Sequence, residues 1–117
     1  MAPQVRQGSA RSGPAVVFDP KLLNEAVAFV LARAESPLSD TLTANHPHLS
    51  GEAIEAIESE VTSAIDLARE TIDAICVGHH ARDCERPSRE QVRELFPWLD
   101  GDNLTKLVTT TIAQFFR

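Results

Sequence analysis

The sequence predicts an all-α fold, a small four-helix, bundle-like domain with a flexible N-terminal tail. Apolar residues recur at three- and four-residue spacing in separate stretches of the chain. Helix-capping residues stand just ahead of those stretches, and no segment offers a partner strand. With 117 residues, 43% of them apolar, the chain has room for one modest core. It has no Tyr, one Trp and five Phe, so that core is expected to be aliphatic.

Residues 1–18, "MAPQVRQGSARSGPAVVF", mix Gly, Pro, Ser, Gln and Arg without period. We read them as a disordered tail and residues 19–117 as a single helical domain. Arg6 and Arg11 are followed by only a short apolar run, Ala15 to Phe18, too short for a signal h-region. No run approaches a membrane span, and two cysteines are too few for a disulfide scaffold. A cytoplasmic protein without membrane association is expected.

The first helix is expected over 19–35. Asp19 is a good N-cap, and Pro20 occupies the first helical position, where its missing N–H costs nothing. Leu23, Val27, Val30 and Ala34 share one face, widened by Leu22, Ala26, Phe29 and Leu31, and Pro37 stops the helix. The last three helices are expected to pack around this broad surface. Residues 36–50, "SPLSDTLTANHPHLS", read as a long connection carrying His46 and His48 as exposed polar residues.

The second helix is expected over 51–80, capped by Ser50. Ile54, Ile57, Val61, Ile65, Ala68, Ile72 and Ile75 form its apolar face. Residues 51–75 hold seven acids and one base, a net −6, which equals the formal charge of the whole chain. Glu55, Asp66, Glu70 and Asp73 project from the opposite side. Carboxylates suit the N-terminal half, where they complement the helix dipole. One reading is a solvated face; but Asp66, Glu70 and Asp73 lie beyond that half and repel one another mildly, and the sharper reading is a docking stripe. These four residues are the expected contact surface for a protein partner with a basic surface; self-association is left open.

The stretch "CVGHHARDC", residues 76–84, concentrates the reactive side chains. Zinc would accept Cys76, His79, His80 and Cys84, but no chelating Cys pair at close spacing is present. If 76–84 stayed helical, the cysteine Cα atoms would stand ~12 Å apart, beyond bridging distance, and only a turn near Gly78 would bring them together. We therefore expect a helix end with free thiols, neither metal nor cofactor, and no enzymatic activity. A zinc or thiol site remains the third functional reading.

Ser88 with Gln91 resembles a capping box, so a short third helix is expected over 88–96 between Pro87 and Pro97. Trp98 and Leu99 should fold back onto the core. Asp102 is expected to cap a fourth helix over 102–116, although Val108–Ile112 is wholly β-branched. This helix pair, 88–116, gives the alternative reading, a DNA-binding transcriptional regulator of helix-turn-helix type. The candidate recognition helix carries a single base, Lys106. Arg82, Arg86, Arg89 and Arg93 are interleaved with Asp83, Glu85, Glu90 and Glu94. Phosphate contacts need Lys and Arg, so nucleic acid is an unfavoured partner. The leading reading is a small acidic interaction module: an inhibitor, adaptor or small subunit.

Overall fold

The computed structural model describes residues 18–32 and 36–117. Residues 1–17 of the expected tail, and Ala34 of the expected first helix, lie outside the described residues. Among the described residues five helices follow in order: α1 (Pro20–Leu31), α2 (Leu38–Asn45), α3 (Gly51–Cys76), α4 (Ala81–Leu95) and α5 (Gly101–Phe115). Among the described residues there is no strand. The fold is all-α, with one helix more than the sequence pattern suggests.

The extra helix is α2. Only Leu38 and Leu42 mark it, one turn apart among Ser, Asp and Thr, and both are buried. Two apolar positions are too few for a periodic signal, yet they suffice to seat eight residues against α1 and α3. Residues 36–50 are therefore not one long connection.

The hub of the domain is α3 rather than α1. It packs against all four other helices, whereas α1 packs on α2, α3 and α5. Ile54, Ile57, Val61, Ile65, Ala68, Ile72 and Cys76 of α3 are buried together with Leu23, Ala26 and Val27 of α1. Length explains the exchange of roles: 26 residues give α3 about seven turns of buried face, and the 12 of α1 give about three. The caps expected at Asp19 and Ser50 are formed, accepting from Lys21 N at 2.9 Å and Ala53 N at 3.1 Å.

Two corrections concern α4 and α5. The helix α4 begins at Ala81, seven residues before the expected start, and runs through Pro87. Ser88 caps nothing; it sits inside the helix, fully buried, with an unpartnered Oγ. The helix extends back because Cys84, Ser88 and Val92, four residues apart, form one small-residue face that is fully buried. The cap of α5 is Asp100 rather than Asp102, its carboxylate accepting from Asn103 N at 2.8 Å. The β-branched run stays helical, and the Thr110 hydroxyl donates to Lys106 O at 2.8 Å within it.

Candidate functional site

Glu55, Asp66, Glu70 and Asp73 are all exposed on α3. Glu55 and Asp73 stand about 27 Å apart along the axis, so the four form a line rather than a cluster. Asp66, Glu70 and Asp73 share two turns. None of the four carboxylates is in an ion pair among the described residues. The sequence pattern alone does not single out Leu67, which lies on the same outward side and is 46% exposed. An outward leucine beside unpaired carboxylates gives the stripe an apolar contact point. Arg69, the only base on α3, is half-buried, so it leaves the acidic face uncompensated.

The second helix, expected over 51–80, stops four residues short of that end. The helix α3 ends at Cys76, and the chain reverses through residues 77–80, where Gly78 takes φ +81°. That left-handed conformation suits glycine, which has no Cβ. The turn brings Cys84, in the first turn of α4, back onto Cys76, with Sγ atoms 2.7 Å apart. The ~12 Å separation of a continuous helix therefore does not apply. Both thiols are fully buried. Burial pushes the Cys76 thiol up to about 12, helped by its hydrogen bond to Cys84 and by the nearby charges of Cys84 and Asp73.

His79 and His80 do not join the cysteines. Both are exposed in the turn, and the His79 ring nitrogen lies 3.3 Å from its neighbour Val77 O. Among the described residues no group of three or more His, Cys, Asp or Glu side chains could hold a metal ion.

A polar junction that the sequence does not announce ties α1 to the turn between α4 and α5. Asn24 Nδ2 donates to Trp98 O at 2.8 Å, and Asp100 N donates to Asn24 Oδ1 at 2.8 Å. Asn103 Nδ2 donates to Asn24 O at 2.9 Å and Oδ1 at 3.1 Å. Trp98 and Leu99 pack onto the core as expected. A second pairing sets His46 Nε2 3.0 Å from Glu25 Oε2, at the rim of a cleft of about 590 Å³ floored by Phe18, Leu22, Leu49 and Ile57.

The chain matches no protein-family model, no curated protein and no solved structure. Among the described residues no helix is long and apolar enough to cross a membrane.

Proposed function

We propose that the chain is a cytoplasmic, non-enzymatic interaction module that docks a basic protein partner on the outward face of α3. The observation that carries this reading is Leu67, nearly half exposed beside Asp66 and Glu70, none of the acids being paired among the described residues. Docking surfaces combine an apolar anchor with charges that steer the encounter. The partner that fits is an amphipathic segment with Lys or Arg flanking an apolar residue. Self-association through this face is disfavoured, because two acidic stripes repel.

The DNA-reading alternative has less behind it. Arg89, one of its four candidate arginines, is held by Glu85 at 3.2 Å and Thr105 at 2.8 Å. Asp102 occupies the first turn of α5, where a recognition helix would meet base edges.

The test compares the wild-type chain with a variant carrying Asp66→Lys, Glu70→Lys and Asp73→Lys, and with Leu67→Ser. Both are used to capture partners from a lysate and to titrate a synthetic Lys/Leu amphipathic peptide. The reading requires one captured protein and the peptide to be lost together with charge reversal, to weaken with Leu67→Ser, and to weaken as salt rises. Binding indifferent to all three would end it.

A further inference from the structure

We propose that Cys76 and Cys84 are a redox modification site, a dithiol that closes to an intrachain disulfide by exchange with a low-molecular-weight disulfide. The geometry carries the proposal. The two sulfurs are already in mutual contact at 2.7 Å, and a disulfide requires about 2.05 Å. They come from different helices, at the last residue of α3 and the first turn of α4, so the bond would staple one helix to the next. The segment between them reverses through Gly78 in a left-handed conformation, which fixes the approach of the two chains. No third ligating side chain joins them among the described residues.

The step balances without a further co-reactant. One cysteine thiolate attacks the small disulfide and expels one small thiolate, giving a mixed disulfide. The second cysteine thiolate then attacks the protein sulfur of that mixed bond and expels the other small thiolate. Two cysteine thiols are oxidised, one small disulfide is reduced to two thiols, and the two protons pass from the cysteines to the released thiolates.

Neither sulfur is exposed in the folded chain, so the first attack waits for the turn at 77–80 to open. That turn is the exposed part of the corner, with Val77 66% accessible. A buried pair does not react with every passing oxidant. It responds to a sustained shift in the thiol–disulfide balance, and once closed it is shielded from the reverse attack.

The experiment equilibrates the full chain in buffers of reduced and oxidised glutathione, once folded and once in denaturing urea. Remaining thiols are alkylated, and the intact chain and its unreduced digest are read by mass spectrometry. The expected product is a monomer lighter by two hydrogens, with Cys76 and Cys84 peptides linked. Its equilibrium should favour closure in the folded chain by at least about tenfold over the unfolded chain, because the fold pre-aligns the pair. Two alkylatable thiols after equilibration, a stable glutathione adduct, a cross-linked dimer, or equal closure in urea would each overturn the proposal.

Discussion

The two corners of α4 are secured by different chemistry. Where α4 passes into α5, Asn24 reaches across from α1 and bonds Trp98 O, Asp100 N and the Asn103 side chain. Where α3 passes into α4, residues 77–80 are exposed, and the contact beneath them is the Cys76–Cys84 pair. The first corner is a hydrogen-bond network whose members satisfy one another, so its strength is the same under all redox conditions. The second is a pair of weak thiol groups whose strength depends on whether a bond joins them. One end of the helix is thus fixed and the other can be set.

Breaking the fixed corner should give the largest effect. Asn24→Ala takes the side-chain partner from Trp98 O and Asp100 N and leaves the Asn103 amide only the backbone O of residue 24. The expected loss is about 3 kcal/mol, read as a lower urea midpoint at unchanged m-value. An equal loss in reduced and oxidised protein would show that the two corners act independently.

Closing the adjustable corner should work in the opposite direction. A disulfide enclosing so short a segment stabilises by about 2.5 kcal/mol in the chain-entropy account, equivalent to a rise in Tm of roughly 10 °C. The reduced form carries an alkaline liability that the oxidised form lacks. The Cys76 thiol ionises near 9.0 when exposed and near 12 when folded. Its protonated form therefore favours the folded state fully below pH 9.0, and that contribution is lost as pH rises from 9.0 towards 12. Stability measured against pH should fall across this window with reductant present and stay flatter after oxidation. At the same corner, Gly78→Ala meets no steric neighbour but must hold φ +81°, which should cost about 1 kcal/mol.

The contrast between the corners also marks where the sequence could be read. The caps at Asp19 and Ser50 and the long apolar face of α3 are local signals, set by residues within a turn of each other. The exposure of Glu55, Asp66, Glu70 and Asp73 follows from the same period. Asn24 and Asn103 are 79 positions apart, and nothing in either neighbourhood announces the bond between them. The start of α4 was hidden because Pro87 reads as a terminator and Ser88–Gln91 as a cap. Burial of Cys84, Ser88 and Val92 on one face overrides both signals, a tertiary effect absent from any short window. The thiol contact depended on a single backbone angle. Gly78 identified the residue able to adopt it, but the partner of Cys76 appears only once α4 begins at Ala81.

The outward face of α3 belongs to neither corner, and substitutions there should have the smallest effect on folding. Asp66, Glu70 and Asp73 are exposed and unpaired among the described residues, so replacing each by Lys should change stability by no more than about 0.5 kcal/mol. Reversal also relieves the repulsion between Asp66 and Glu70, one turn apart, which pushes the change towards stabilisation. Asp73 introduces one link back to the thiol corner, because its negative charge helps to raise the Cys76 thiol. Asp73→Lys should therefore let that thiol ionise at a lower pH in the folded chain, so that the alkaline loss of stability, still beginning near 9.0, becomes smaller and ends earlier, whereas Asp66→Lys should leave it unchanged. Thermal melts of the two single variants from pH 7 to 11 separate these outcomes. Identical alkaline profiles would mean that burial alone sets the thiol and that the face and the corner are uncoupled. A change confined to Asp73→Lys would make the acidic stripe part of what holds Cys76 protonated, and would tie occupation of that stripe by a basic partner to the ease with which Cys76 is oxidised.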